Sequence, residues 1–131
     1  MNITQIVARF PPAIGGMEEH VYQISLELVR RGHKVSVITS NEFDGEVCPK
    51  GEHVIDGIRV YRYPLLFPSV MREYWMIPSI FRVFQRTNAD IVHVHGYRCL
   101  NSFFSIHLGH RNHIPTVFTP HGIYPSNSRL N

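Results

Sequence analysis

The fold is decided by residues 3 to 40, ITQIVARFPPAIGGMEEHVYQISLELVRRGHKVSVITS. Residues 3 to 8 are apolar and β-branched enough to predict a first strand, and Pro11 and Pro12 end its ladder because proline has no N–H to donate. From Met17 the apolar positions Met17, Val21, Ile24 and Leu28 recur at helical spacing. Glu18 and Glu19 open this helix and Arg30 and Arg31 close it, an order that complements the helix dipole, and Gly32 suits the left-handed residue that stops it. Residues 34 to 40 alternate and are β-branched again, so the whole stretch reads as a strand-helix-strand unit.

Beyond it, residues 41 to 51 are polar and turn-rich. Asp56-Gly57, between Val54-Ile55 and Ile58-Val60, has the composition of a type I′ turn and predicts a β-hairpin insertion near residues 53 to 62. Residues 69 to 87 follow a helical pattern that Pro78 should start, kink or split. Residues 90 to 95 read as a strand ending at Gly96, residues 99 to 112 as a helix through Leu100, Phe103, Phe104 and His107, and residues 116 to 119 as a last strand. Alternating strands and helices predict an α/β fold, a Rossmann-like parallel sheet with helices on both faces, formed as one domain over residues 1 to 131. Ligands in such sheets bind beyond the carboxyl ends of the strands, where the strand order reverses. That rule selects three loops: Gly15-Gly16, His95-Gly96 and Pro120-His121-Gly122.

The 131 residues, 44% hydrophobic and 18% charged, suffice for an ordinary core without disulfide or metal. Pro64, Pro68, Arg72, Glu73 and Pro78 interrupt the longest apolar runs, so no membrane-spanning helix is expected. The start reads as neither leader nor signal, which makes the cytoplasm the expected compartment. Cys48 and Cys99 form no C-x-x-C pair and read as reduced bystanders. The net charge of +3 hides an asymmetry: residues 1 to 57 carry five Lys/Arg against eight Asp/Glu, whereas residues 58 to 131 carry eight Arg against two acids. These arginines are scattered rather than striped, so no nucleic-acid contact is expected. Leu65, Leu66, Phe67, Trp75, Met76, Ile77 and Phe81, interleaved with Arg72, Arg82 and Arg86, suit the headgroup boundary of an anionic membrane. The alternative is a crossover helix packed on the sheet with solvated arginines.

Gly15-Gly16 opens the first helix, where free N–H groups and the dipole favour an anion by up to about 2 kcal/mol. The bland reading is a tight turn. Neither G-x-G-x-x-G nor a P-loop is present, which argues against NAD and ATP. His93 and His95 share one face of a strand, a spacing that serves a metal or a hydrogen-bonded core; no further ligands cluster in sequence, so no metal is expected. His121 reads as a polar group in a cleft or as a structural loop residue, and Glu19 and His20 as facing the same cleft or as a solvated helix start.

Four pieces in this order, RFPPAIGGMEEHV at 9 to 21, RRGHKV at 30 to 35, ADIVHVHG at 89 to 96 and VFTPHG at 117 to 122, resemble the amino-terminal half of a GT4-family (group 1) glycosyltransferase of the GT-B fold, over nearly the whole chain. The G-G-M-E-x-H element is similar to enzymes that glycosylate lipid-linked acceptors, phosphatidylinositol glycosyltransferases among them. The resemblance implies two Rossmann-like domains with the active site between them, and a retaining transfer, of hexosyltransferase type, from a nucleotide-sugar that is substrate rather than cofactor, with no metal required. It implies that the Gly15-Gly16 loop lies against the donor diphosphate and the acceptor, and His95 and Gly122, in the other two loops at the strand ends, are expected to bind there as well. It further implies that His121 touches the transferred sugar, which makes it the expected catalytic residue; Arg9, Glu19 and His20 are further candidates from their place beside the same loop. The carboxyl-terminal nucleotide-sugar domain and its E-x7-E element are absent from these residues, so residues 1 to 131 are expected to be a truncated acceptor-side domain, inactive alone. Its expected partners are a nucleotide-sugar and a sugar acceptor, lipid-linked or a polysaccharide precursor, met by a cytoplasmic protein in peripheral contact with a membrane. The alternative is a non-catalytic α/β module that binds a phosphorylated ligand or a protein partner.

Overall fold

Five strands run parallel in one sheet: β1 (Asn2–Ile6), β2 (Lys34–Ser40), β6 (Ile58–Tyr63), β7 (Ile91–His95) and β8 (Thr116–Thr119). The computed structural model describes residues 1–43, 45–66, 75–97 and 99–121. Strand β5 (Gly51–Ile55) pairs antiparallel with β6 at the sheet edge, giving the order β5-β6-β2-β1-β7-β8. The chain therefore builds outward from β1 through β2 to β6, then returns to the other side of β1 for β7 and β8. The strand order reverses between β1 and β7, the place where sheets of this kind bind ligands, beyond the carboxyl ends of the strands.

The two faces of β1 have different neighbours because side chains alternate along a strand. Ile6 points to one face, with Ile38, Tyr61, Val92 and Val94, and is covered by Met76, Ile80, Val83, Phe84 and Leu108. The covering residues come from α2 (Ile80–Val83), the 3-10 turn Phe84–Thr87 that continues it, and α3 (Leu100–Arg111). On the opposite face Val7, Val35, Val37, Ile58 and Val60 pack under Met17, Val21, Tyr22, Leu26 and Val29 of α1 (Gly16–Arg30). Helices thus cover both faces, as the alternation predicts.

Helix α1 ends as its sequence suggests, with Gly32 at φ 88. The Asp56-Gly57 turn has both residues at positive φ, 50 and 82, the geometry of type I′. The hairpin is not a mere insertion, however: its second strand, β6, pairs in parallel with β2 from Ser36↔Arg59 to Ser40↔Tyr63 and is integral to the sheet. Residues 41 to 51 hold a small hairpin, β3 (Glu42–Phe43) with β4 (Glu46–Val47), that no pattern announces. The helix expected over 69 to 87 is short in its described part. Pro78 precedes a single turn at Ile80–Val83, and residues 67 to 74 lie outside the described residues. Leu65, Met76 and Ile77 are buried, so this part of the stretch is core, while Phe81, Arg82 and Arg86 are exposed. Helix α3 buries Asn101, Ser102, Ser105 and Gly109 with Leu108. Its small inner residues let it approach the sheet closely, and a Cβ at Gly109 would lie 3.3 Å from Thr116 Cβ.

Candidate functional site

Histidines gather at the switch point. His93 and His95 project from the same face of β7, their ring centroids 3.9 Å apart. His95 lies beside Gln5 of β1 and accepts no solvent: it is 2% exposed, and both ring nitrogens are engaged. Its Nε2 is 2.6 Å from Gln5 Oε1 and its Nδ1 is 2.8 Å from Nε2 of His121, which follows β8. His93 Nε2 lies 2.7 Å from Thr119 Oγ1. His20, on the first turns of α1, sets its ring edge against His121 with centroids 4.9 Å apart. Four imidazoles from three elements therefore meet at the end of the sheet, beside the amino terminus of α1.

Burial pushes His95 down to about 2, with His93, His121 and His20 adding repulsion. His93 is lowered by burial, then by His121 and His20. His121 is lowered by burial and by His20, against the opposing pull of the Glu18 carboxylate. These three rings are neutral at pH 7. Gln5 is fully buried, and its Nε2 has no hydrogen-bond partner among the described residues, a cost on the order of 1–3 kcal/mol that a leucine in its place would avoid. A buried amide kept at that cost, aimed at a histidine, marks a constellation rather than filler.

The loop from β1 to α1 makes up the rest of the site. Arg62, 3% exposed, reaches from β6 to donate to the carbonyls of Ser40, at 3.5 Å, and Pro11, while its guanidinium lies 5.9 Å from the Phe10 ring centroid. Burial lowers its pKa, yet an arginine remains protonated there. Gly15 and Gly16 are exposed. The first bond of α1 runs from Glu19 N–H to the Gly15 carbonyl at 3.1 Å, so the N–H groups before it have no intrahelical acceptor. A Cβ on Gly16 would meet nothing within 4 Å, whereas one on Gly15 would stand 2.9 Å from Glu18 Cδ. A side chain at Gly15 would thus displace the Glu18 carboxylate, whereas Gly16 leaves the backbone open to a ligand.

Gly15, Gly16, His20, His95 and His121 all belong to the carboxyl edge of the sheet, and Gly122 lies outside the described residues. His95, expected as a ligand contact, stands behind His121 and is 2% exposed, because a central parallel strand is covered on both faces. Glu19 does not join the site. Its Oε1 accepts from Gln23 Nε2 at 2.7 Å on the solvated helix face, and the carboxylate that turns inward is Glu18, 5% exposed and 3.4 Å from Arg9. Arg9 is thereby engaged as the partner of Glu18. Sequence reasoning missed Gln5, Glu18 and Arg62; the usable signal for Gln5 was a polar residue inside an apolar strand flanked on both sides. Among the described residues no group of three His, Cys, Asp or Glu side chains is arranged to hold a metal; His95 has both ring nitrogens, and His93 and His121 one each, engaged in hydrogen bonds.

Comparisons with known proteins agree with the fold and identify a family. The chain is 31% identical over 134 aligned positions to the phosphatidylinositol N-acetylglucosaminyltransferase GPI3 subunit of Saccharomyces cerevisiae, covering 97% of this chain and 28% of that protein. It is 28% identical to a phosphatidylinositol N-acetylglucosaminyltransferase subunit of Homo sapiens, over 94% of this chain and 26% of the relative. A GDP-mannose-dependent alpha-mannosyltransferase of Mycolicibacterium smegmatis matches at 26% identity, over 89% of this chain and 31% of the relative. The chain thus spans less than a third of the length of these curated relatives. Among solved structures, a sucrose-phosphate synthase from Thermosynechococcus elongatus superposes with a TM-score of 0.64 at 17% identity, covering 92% of this chain and 33% of that one. The model of Glycosyltransferase Family 4 matches residues 14–131, and the chain belongs to that family.

Proposed function

We propose that this chain is the acceptor-side part of a retaining enzyme that moves a sugar from a nucleotide-sugar to an acceptor, with a lipid-linked acceptor favoured. The observation that carries the reading is the meeting of the first turns of α1 with His121, through the His20 ring, at the sheet edge where the strand order reverses and where Gly16 leaves the helix start open. Free N–H groups at a helix start stabilise the charge that builds on a departing diphosphate. His121, beside them, offers a neutral ring to the sugar as its bond to the diphosphate breaks. Loop 10–16 is braced for this task by Arg62, so the N–H groups are in place before the ligand arrives. Family membership supports the reaction class, and the retaining course and nucleotide-sugar donor rest on it. The lipid-linked acceptor rests on the names of the yeast and human relatives, with exposed Phe81, Arg82 and Arg86 as a surface suited to an anionic headgroup layer. No helix among the described residues is long and apolar enough to cross a membrane, which agrees with a peripheral contact.

The test is a donor screen on the intact protein, with nucleotide-sugars offered against phosphatidylinositol vesicles and against soluble sugars, and products read by mass spectrometry. A glycosylated lipid is the expected result. Glycosylation of soluble sugars alone would remove the lipid acceptor. Binding of phosphorylated ligands without any transfer would favour a non-catalytic module.

A further inference from the structure

The chain of contacts Gln5, His95, His121 has a direction. With the oxygen of the Gln5 amide turned toward the ring, Oε1 can only accept, so the hydrogen it receives at 2.6 Å sits on His95 Nε2. A neutral imidazole carries one ring hydrogen, which leaves His95 Nδ1 bare and able only to accept. The hydrogen in the 2.8 Å contact with His121 is therefore on His121 Nε2. His121 in turn keeps Nδ1 as a lone pair, and among the described residues this atom has no hydrogen-bond partner. The arrangement is rigid: His95 is 2% exposed, its carbonyl accepts from Ser102 Oγ at 3.0 Å, and Gln5 is locked between Val37 and His93 in the parallel register.

We propose that Gln5 and His95 are positioning residues that hold His121 as its Nε2–H tautomer, so that Nδ1 is the atom that accepts a hydrogen bond from a hydroxyl of the transferred sugar. This rests on the reading of the chain as part of a sugar-transferring enzyme and adds which atom acts and what fixes it. A free histidine populates both tautomers and turns about its side-chain bonds. Here the ring is pinned at one nitrogen, and the other is presented with no reorganisation at the moment of reaction. The groups around His121 fit such a role: His20 meets its ring edge-on at 4.9 Å, and the Glu18 carboxylate, paired with Arg9, is close enough to act on it.

Long-range proton-nitrogen spectra of the intact protein, labelled in histidine and held near pH 7.5, read the tautomer directly. The wild type is expected to show His121 protonated at Nε2 alone. His95→Phe, which keeps a ring in the core but has no nitrogen, and Gln5→Leu are expected to release it to a mixture. Gln5→Glu keeps the acceptor, so the Nε2–H form should return relative to Gln5→Leu. In sugar transfer, kcat should fall about 10-fold to 100-fold in His95→Phe with the donor KM nearly unchanged, the same scale as the loss of the outer partner that orients a metal-binding histidine. Part of that loss should be recovered in Gln5→Glu. Thermal melting identifies a variant that has merely unfolded, and Gln5→Leu then carries the test. An Nδ1–H tautomer in the wild type, or an unchanged tautomer in folded His95→Phe, overturns the proposal. A released tautomer with undiminished kcat overturns its role in the reaction. Absence of transfer by the wild type overturns the functional reading, while the spectra still decide the pinned ring.

Discussion

Gly15 and Gly16 are adjacent, both exposed, and should respond in opposite ways to substitution. At Gly16 a new Cβ meets nothing within 4 Å, and its φ is not left-handed, so Gly16→Val should change stability by no more than about 0.5 kcal/mol. The same side chain would stand over the helix N–H groups and keep a diphosphate from the backbone. Loss of one such donor costs about 10²-fold to 10³-fold in kcat. At Gly15 the new Cβ would lie 2.9 Å from Glu18 Cδ, so the carboxylate must swing away. That carboxylate is 5% exposed and sits 3.4 Å from Arg9, and displacing it should cost about 1–3 kcal/mol, or several degrees of melting temperature in a domain of this size. Thermal melts and transfer assays on Gly15→Ala and Gly16→Val of the intact protein separate the two. Equal melting losses in the two variants, or full turnover in Gly16→Val, would refute the assignment of Gly16 as the open approach.

Three further outcomes follow from the packing. His95 titrates at about 2 when folded and near its ordinary value when unfolded, so the unfolded chain binds more protons below about pH 6.5. Stability should therefore be flat above pH 7 and fall on acidification by up to about 1.4 kcal/mol per pH unit from His95 alone, a slope that melts from pH 7.5 to 5 should show and that His95→Phe should reduce. Gly57→Ala places a side chain at φ 82 and 3.2 Å from Val29 Cγ1, and should cost about 1 kcal/mol in a urea melt while leaving turnover intact, because the turn lies at the amino end of β6, away from the site. Arg62→Lys cannot fork between the Ser40 and Pro11 carbonyls; it should lose about 1–2 kcal/mol in the same melt and raise the donor KM as loop 10–16 loosens.

Where local chemistry and tertiary position agree, the sequence was legible. Helix α1 carries its apolar stripe, its terminal charges and Gly32, and Asp56-Gly57 can hardly form another turn. The loops at the carboxyl edge follow from the strand directions alone, which is why Gly15, Gly16, His20 and His121 are legible as neighbours. Helix α3 is legible too, although its inner face is Asn101, Ser102, Ser105 and Gly109, whose smallness serves close approach and gives no apolar stripe. Other features depend on neighbours that no local pattern encodes. The parallel pairing of β6 with β2 is a contact between distant segments, so the hairpin reads as an insertion. His95 reads as a ligand contact because its loop position is visible in sequence and the cover over it is not. Glu18 and Glu19 are indistinguishable in sequence; only the rotation of α1 against Arg9 turns the first inward and leaves the second on the surface. Gln5 lies in plain view as a polar residue in a strand, but its meaning requires His95 at 2.6 Å.

The central claim, that sugar transfer takes place at the switch point beside His121, is tested most directly by the turnover of His121→Asn in the intact protein with whichever donor the wild type accepts. Asparagine tolerates the positive backbone φ of 52 at this position, so the loop should keep its course. The account predicts a fall in kcat of about 10²-fold or more with the melting temperature nearly unchanged. Wild-type turnover in the folded variant would contradict it and move the chemistry elsewhere.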